Sequence, residues 1–145
     1  MLLKNRSVFI VEDNIQNRIV FQMTLVVEGA KLEFERWGRD AIYRLNNQRS
    51  VDLIILDLML HNDVSGYDIF TEIRANSKYD AIPIVAVSAA EPAIALPRTR
   101  QMGFSGFIAK PIDDELFAKQ IAQILSGEKV WYTGERYYGS EESVR

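Results

Sequence analysis

The chain has 145 residues, no cysteine and a formal net charge of −3. This length fits one domain, the absence of cysteine excludes disulfides, thiolate catalysis and cysteine-ligated zinc, and the slight acidity argues against nucleic acid as a partner. No stretch approaches the roughly 18 apolar residues of a membrane span, and the run Val8–Val11 is too short for a signal-peptide core. We therefore expect a cytoplasmic protein with no membrane contact.

The first half of the chain alternates short apolar runs with helix-like segments, which is typical of βαβ units and a parallel sheet. The first strand is predicted over Ser7–Val11 and the first helix over about 14–28, with Gly29 as the helix stop. The segment Lys31–Arg36 alternates polar and apolar residues, which indicates an edge strand. A second helix is predicted over about 39–47.

The second half continues this alternation. The run Leu53–Asp57 predicts a strand buried on both faces, because it is short, apolar and bounded by polar residues. A third helix is predicted over about 67–75, and a fourth strand over Pro83–Ser88, where proline is tolerated at the first position. A fifth strand, Gly106–Ala109, and a fifth helix over about 113–125 complete the pattern.

Two segments depart from the regular pattern. Pro92 and Pro97 interrupt the segment 91–102, because each lacks a backbone donor, so we expect a shortened or irregular fourth helix that is firm only after Pro97. A domain is predicted over residues 1–126, followed by a tail over 127–145 and no output domain. The aromatic residues of the tail are Trp131, Tyr132, Tyr137 and Tyr138. This tail could dock a partner, fold back on the domain or be a disordered terminus.

Ionisable residues occupy the point where three predicted strands end. Glu12 and Asp13 follow the first strand, Asp57 ends the third, and Lys110 follows the fifth. The carboxyl ends of parallel strands meet at one edge of a sheet, where open α/β folds place their ligands. Three carboxylates and one amine are therefore predicted to come together at this edge.

The order and spacing of these residues resemble the CheY-like receiver domain of response regulators, in its stand-alone form. The match rests on the acid pair after the first strand, Asp57 after the third, Ser88 after the fourth and Lys110-Pro111 after the fifth, and it covers about residues 7–125. The resemblance implies a flavodoxin-like α/β fold. Its doubly wound, five-stranded parallel sheet would have the order 2-1-3-4-5 with helices on both faces.

The resemblance also implies a phosphoryl-accepting, metal-dependent site. It makes Asp57 the phosphoacceptor. It places Mg²⁺ on Asp13, Asp57 and the backbone carbonyl of Met59, with Glu12 in contact through water. Mg²⁺ is a hard cation that prefers carboxylate, carbonyl and water oxygens, and it would neutralise acids that otherwise repel an anionic phosphoryl donor.

Other residues would act on the phosphoryl group or respond to it. The resemblance implies that Ser88 hydrogen-bonds one phosphoryl oxygen and that Lys110 pairs with another, which suits a reaction that depends on positioning and charge neutralisation. Ser88 and Phe107 stand at the family's switch positions, although plain core packing explains Phe107 equally well. His61 is interpreted as a solvated loop residue and not a ligand, because the chain has one histidine.

Two stretches differ from the family's pattern. The loop His61–Gly66 lacks the usual proline and is one residue longer, so its conformation is expected to differ. Pro92 and Pro97 fall in the segment that normally relays phosphorylation to a partner. We therefore expect an output surface unlike the family's usual one.

These observations predict a two-component response regulator receiver. A histidine kinase or a histidine phosphotransfer protein would donate the phosphoryl group. The phosphorylated domain would then contact an unidentified target protein through its fourth helix, fifth strand and fifth helix, or pass the group onward in a phosphorelay. We expect a phosphoacceptor with at most self-phosphorylation and autodephosphorylation activity, and not an enzyme.

Three other functions fit parts of the pattern. A haloacid-dehalogenase-like phosphatase would need a second aspartate two residues after the nucleophile, where Met59 stands. A flavodoxin would need a Ser/Thr/Gly-rich phosphate loop in place of Glu12–Ile15. A receiver-like module that docks partners without phosphorylation stays open because of the unusual loop, although the acids, Ser88 and Lys110 weigh against it.

Overall fold

The computed structural model describes residues 1–61 and 64–134, and six strands in these ranges form one parallel sheet. The strands are β1 (Ser7–Val11), β2 (Lys31–Glu35), β3 (Leu53–Leu56), β4 (Ile84–Ser88), β5 (Gly106–Ala109) and β6 (Val130–Tyr132). Their order across the sheet is β2-β1-β3-β4-β5-β6, and all neighbours are parallel. The predicted order of the first five strands is therefore confirmed, and a sixth strand extends the sheet beyond β5.

Helices cover both faces of the sheet, as predicted for a doubly wound α/β fold. They are α1 (Ile15–Leu25), α2 (Ala41–Asn46), α3 (Gly66–Arg74), α4 (Pro92–Met102) and α5 (Phe117–Leu125), with short 3₁₀ turns at Val26–Glu28 and Ser77–Tyr79. On one face, Phe21 of α1 stacks on Phe117 of α5 with ring centroids 5.5 Å apart. On the other face, Leu45, Phe70 and Ala95 bring α2, α3 and α4 into a second core. Across residues 1–61 and 64–134, no helix combines the length and apolarity that crossing a membrane requires.

Strand β3 shows how the two cores share one sheet. Ile54 and Leu56 point into the core beneath α2, α3 and α4, whereas Leu53 and Ile55 point into the core beneath α1 and α5. All four side chains are buried, and each contributes about 1.5–3 kcal/mol to folding. Because helices cover both faces, the strand is continuously apolar rather than alternating. This buried strand carries Asp57 immediately after its last residue.

The sixth strand corrects the prediction of five strands followed by a tail. Val130–Tyr132 lies within the predicted tail and pairs in register with Gly106–Ile108 of β5. Valine, tryptophan and tyrosine favour strands. The pairing also depends on Gly106, because a Cβ there would lie 2.4 Å from the carbonyl oxygen of Val130. The rest of the predicted tail over 135–145, with Tyr137 and Tyr138, lies outside the described residues.

Helix α4 corrects the prediction of an irregular segment that becomes helical only after Pro97. The helix begins at Pro92 and continues through Pro97 to Met102. Pro92 lies at the start of the helix, where its missing N–H has no intrahelical partner to lose. Pro97 removes one hydrogen bond in the second turn, but the buried side chains of Ala95 and Thr99 anchor the helix on either side of it.

The other differences from the predicted elements concern the ends of helices and strands, and the strands β2, β3 and β4 are each one residue shorter than predicted. Helix α1 begins at Ile15 after its cap, Asn14. The predicted fifth helix begins at Phe117 rather than Asp113, because the Asp113 side chain accepts the backbone N–H of Glu115 at 2.9 Å and holds a turn ahead of the helix. These shifts leave the positions of the strands, and of the residues that follow them, unchanged.

The two prolines of α4 make a matched test of this helix. We expect Pro97→Ala to raise the free energy of unfolding by about 2 kcal/mol. An interior proline costs about 3 kcal/mol relative to alanine, and about 1 kcal/mol is offset by the freedom that alanine returns to the unfolded chain. Pro92→Ala should lower stability by at most about 1 kcal/mol, since proline is favourable at the first helical position. Urea unfolding followed by circular dichroism distinguishes the two, and equal effects would contradict a continuous helix.

Candidate functional site

The carboxyl ends of β1, β3, β4 and β5 meet at one edge of the sheet. The backbone N–H of Asp57 donates to the carbonyl of Val11 at 3.1 Å, and that of Lys110 donates to the carbonyl of Ser88 at 3.0 Å. These bonds hold the residue after β3 beside the end of β1, and the residue after β5 beside the end of β4. The structure therefore gathers the predicted site residues at this edge: Glu12, Asp13, Asp57, Ser88 and Lys110.

Three carboxylates form the centre of the site. Glu12, Asp13 and Asp57 each offer one oxygen, and these oxygens lie within 4.8 Å of one another. Glu12 is 1% exposed and Asp57 is 6% exposed, so water screens their repulsion poorly. Carboxylates that lie this close together and are this well shielded from water need a nearby cation or a bound proton to offset their repulsion. The cluster is the only group of this kind within residues 1–61 and 64–134.

Lys110 supplies that positive charge. Its Nζ lies 2.7 Å from Oε1 of Glu12 and 3.0 Å from Oδ2 of Asp57, and its side chain is 11% exposed. Burial raises the pKa of Glu12 above its usual value of 4.5, while the hydrogen bond and charge of Lys110 act in the opposite direction. The sequence predicted that Lys110 lies beside the acids. It did not predict that the shorter of the two contacts is with Glu12.

The remaining oxygens of the two buried carboxylates also have donors. Oδ1 of Asp57 accepts the backbone N–H of Met59 at 3.1 Å. Oε2 of Glu12 accepts the backbone N–H of Asn14 at 3.1 Å and the side-chain amide of Asn17 at 3.3 Å. Buried carboxylates are stable only when such bonds replace water. The first turn of α1 therefore orients Glu12, and the turn after β3 orients Asp57.

Asp13 has a partner that the sequence analysis missed. Its Oδ2 accepts the backbone N–H of His61 at 3.0 Å and lies 2.5 Å from Nδ1 of the imidazole ring. The His61 side chain is still 81% exposed, which agrees with the prediction of a solvated loop residue. The path of the loop after β3 decides this contact, and no local signal in the sequence predicts it. Asn62 and Asp63 of the same loop lie outside the described residues.

The two predicted switch residues are both completely buried. The Oγ of Ser88 accepts the backbone N–H of Ala90 at 3.1 Å. Phe107 belongs to the core beneath α3 and α4, which also contains its register partner, Trp131. Both positions are thus held by contacts within the protein. The side chain of Met59 is 59% exposed, so this residue contributes its backbone to the site.

Comparisons of sequence identify the family. Residues 8–122 match the family described as "Response regulator receiver domain". The polar-differentiation response regulator DivK of Brucella ovis is 32% identical over 120 residues, which cover 83% of this chain and 96% of that protein. DivK of Brucella anthropi is also 32% identical over 120 residues, with the same coverage of both chains.

Solved structures show the same fold. The signal receiver domain of a signal transduction histidine kinase from Syntrophus aciditrophicus superposes with a TM-score of 0.73 at 28% identity, covering 84% of this chain and 91% of that one. The chemotaxis response regulator CheY4 of Vibrio cholerae superposes with a TM-score of 0.74 at 24% identity, covering 83% and 99%. At this lower identity the likeness concerns the fold alone.

Lys110→Met tests the role of the buried cation in stability. We expect a loss of about 3–5 kcal/mol in the free energy of unfolding at pH 7, because the variant leaves buried carboxylates without their cation. The already raised pKa of Glu12 should rise further, so the folded state takes up a proton more readily than the unfolded chain. The destabilisation should therefore shrink as the pH falls from 7 towards 4.5, the ordinary pKa of a glutamate side chain.

The measurement is urea unfolding of the variant and the wild type at pH 7 and pH 5. Lys119→Met is the control, since Lys119 is exposed on α5, and it should change stability by no more than about 0.5 kcal/mol. A loss for Lys110→Met that is the same at both pH values would contradict the charge argument. It would assign the effect of Lys110 to packing instead.

Proposed function

Because the chain belongs to the response regulator receiver domain family of two-component signalling, we propose that Asp57 accepts a phosphoryl group in a Mg²⁺-dependent reaction. The observation that carries this proposal is the position of Asp57. It directly follows a buried strand, has the cation of Lys110 at 3.0 Å, and shares its edge of the sheet with two further acids. A carboxylate so placed is held in position and partly neutralised, which is what phosphoryl transfer requires of its acceptor.

In the proposed reaction a carboxylate oxygen of Asp57 forms the new bond to phosphorus. The bond between phosphorus and the donor breaks, and its electron pair leaves with the donor, which is a phosphohistidine imidazole in a kinase or phosphotransfer protein. The backbone N–H of Met59 and the ammonium of Lys110 orient the attacking carboxylate, since each contacts one of its oxygens. Asp57 directly follows the last residue of β3, so its carboxylate lies at the rim of the sheet from which a donor would approach.

The carboxylate cluster has the chemistry of a Mg²⁺ site. Three carboxylate oxygens lie within 4.8 Å of one another, and Mg²⁺ is bound through hard oxygen ligands of this type. Asp13, Asp57 and the carbonyl of Met59 would hold the ion directly, and Glu12 would contact it through water. When bound, Mg²⁺ neutralises charge that develops on the phosphoryl oxygens.

Two residues of the chain would hold the phosphoryl group itself. The Ser88 hydroxyl would donate to one phosphoryl oxygen and the Lys110 ammonium would pair with another. The Lys110 ammonium now contacts both buried acids, so pairing with a phosphoryl oxygen would require it to give up or share one of them. The Ser88 Oγ accepts the backbone N–H of Ala90, which leaves its own O–H able to donate to the phosphoryl group. Phe107 lies on β5, three residues before Lys110, and would respond as the aromatic switch.

The proposed role in the cell follows from this chemistry. A histidine kinase or a histidine phosphotransfer protein would act as the donor in the cytoplasm. The chain would signal by phosphorylation-dependent contact with a target protein, or by onward relay of the group. It would act as a phosphoacceptor, with at most self-phosphorylation and autodephosphorylation as its own activity. The relatives named DivK are response regulators, and the match with this chain covers 96% of the length of the first of them.

One contact favours a second candidate function, a receiver-like module that docks partners without phosphorylation. Asp13 is proposed as a direct metal ligand, yet its carboxylate is 2.5 Å from the ring of His61 and accepts the backbone N–H of the same residue. Mg²⁺ binding must displace or share this partner. The strength of Mg²⁺ binding therefore separates the two candidates.

Intact-mass spectrometry tests the phosphoacceptor directly. We expect the wild type to gain one phosphoryl mass with acetyl phosphate and Mg²⁺, and Asp57→Asn to gain none, because the amide removes the nucleophilic oxygen. Asp68→Asn, an exposed change on α3, is the control and should label like the wild type. Full labelling of Asp57→Asn would show that a residue other than Asp57 accepts the phosphoryl group.

Titration with Mg²⁺ tests the metal ligands. Asp13→Asn should weaken binding by roughly tenfold or more, because even outer-shell groups of metal sites contribute on the order of 10–100-fold to affinity. Asp114→Asn, an exposed acid before α5, should leave the affinity unchanged. If neither the wild type nor the variant binds Mg²⁺, the docking module becomes the better description of this chain.

A further inference from the structure

Strand β6 occupies the free edge of β5. The resemblance assigns β5, together with α4 and α5, to contact with a target protein, but here Val130–Tyr132 pairs with Gly106–Ile108 along that edge. All three residues of β6 are buried, and none is more than 7% exposed. A segment of the chain itself therefore takes the place that a strand added by a partner would need.

The absence of a side chain at Gly106 makes this close pairing possible. A Cβ at this position would lie 2.4 Å from the carbonyl oxygen of Val130 and 3.3 Å from its nitrogen. The next neighbour, Cδ1 of Ile124, would be at 3.4 Å, which is an ordinary contact distance. A methyl group at residue 106 would therefore clash chiefly with β6, so a substitution there perturbs the pairing of β5 with β6 selectively.

Trp131 anchors β6 to two elements at once. It is 4% exposed and shares a core with Phe107, its register partner on β5, so both side chains lie on the same face of the sheet. The guanidinium of Arg100 on α4 lies 4.8 Å from the centroid of the indole ring, a cation–π distance. The position of β6 therefore depends on the relative positions of β5 and α4.

These two elements also carry the groups that would hold the phosphoryl oxygens. Lys110 directly follows β5, and Ser88 lies just ahead of α4. The Lys110 ammonium now contacts Glu12 and Asp57, and the Ser88 Oγ accepts the N–H of Ala90. Pairing of Lys110 and Ser88 with a phosphoryl group on Asp57 would draw the end of β5 and the segment ahead of α4 towards that group. Strand β6 is packed against the arrangement of β5 and α4 seen here.

Strand β6 is an edge strand that contacts both of these elements. It has three residues and one neighbouring strand, whereas β5 is paired on both sides. An edge strand can leave the sheet without breaking the pairing of the central strands. A rearrangement of β5 and α4 would therefore change the pairing of β6 while the central strands stay paired.

We propose that β6 is an intramolecular brake, which covers the β5 edge in the arrangement seen here and leaves it when Asp57 is phosphorylated. This inference rests on the proposed phosphoacceptor function and adds a regulatory step to the same site. The coupling is reciprocal: if phosphorylation favours release of β6 by a given factor, release of β6 must favour the phosphorylated form by that factor.

Fluorescence of Trp131 reports the release. The chain has two tryptophans, so Trp37→Phe leaves Trp131 as the single reporter in the full-length protein. On treatment with acetyl phosphate and Mg²⁺, its emission should shift to longer wavelength in proportion to the phosphorylated fraction, which intact-mass spectrometry measures on the same sample. Hydrogen exchange should show a parallel loss of protection at residues 130–132.

Two arginines on α4 give a matched pair of variants for the reverse coupling. Arg100→Ala removes the cation above Trp131, whereas Arg98→Ala removes an equal charge that lies 3.7 Å from the ring of Tyr67 instead. Both arginines are exposed. Arg100→Ala should increase phosphorylation at limiting acetyl phosphate by about two- to fivefold, and Arg98→Ala should not. Gly106→Ala should act in the same direction as Arg100→Ala and shift the Trp131 emission before any phosphorylation.

The outcomes distinguish a failure of the proposed brake from a failure of the proposed phosphoacceptor function. Full phosphorylation with unchanged Trp131 emission would overturn the brake and leave the phosphoacceptor function standing. Equal behaviour of Arg100→Ala and Arg98→Ala would also overturn it. No phosphorylation of the wild type by acetyl phosphate or by a histidine phosphotransfer donor would overturn the proposed function, and the brake with it.

Discussion

The ammonium of Lys110, shared between the carboxylates of Glu12 and Asp57, is the interaction on which the rest of the site depends. Two acids that are almost fully buried would repel each other strongly, and burial already raises the pKa of Glu12. One cation between them holds both in place. In the proposed function, a phosphoryl group or a metal ion would change the partners of that single ammonium. The contact that stabilises the two acids would then also be the contact that responds to phosphorylation.

The parallel sheet explains why this charge cluster can form at all. Residues far apart in the chain reach one edge because parallel strands all end on the same side, and helices on both faces bury the strands that carry them. The apolar run Leu53–Leu56 holds Asp57 at the rim through a strand that cannot shift without opening two cores. The segment 53–57 therefore combines a rigid, buried strand with a carboxylate directly after the end of that strand.

The parts that the sequence predicted are those determined by local pattern. Strand β3 and the acids at 12, 13 and 57 follow from apolar runs and their ends. The parts that it missed depend on geometry between distant residues. Strand β6 requires that residue 106 lacks a Cβ opposite Val130, and the contact of His61 with Asp13 requires a particular path of the loop. The fourth helix was misjudged for a different reason, because the cost of a proline depends on its position relative to the helix start.

Strand β6 changes what the arrangement of elements implies for the proposed output of this chain. An unpaired β5 edge would be open to a partner at all times. Here the edge is paired, the indole of Trp131 lies in the core beside Phe107, and Arg100 covers it from α4. Any partner that reads β5 must compete with a strand tethered to the same molecule, whose effective concentration is high. If β6 is the proposed brake, the equilibrium between the bound and released strand would set the threshold of the response together with the affinity of the partner.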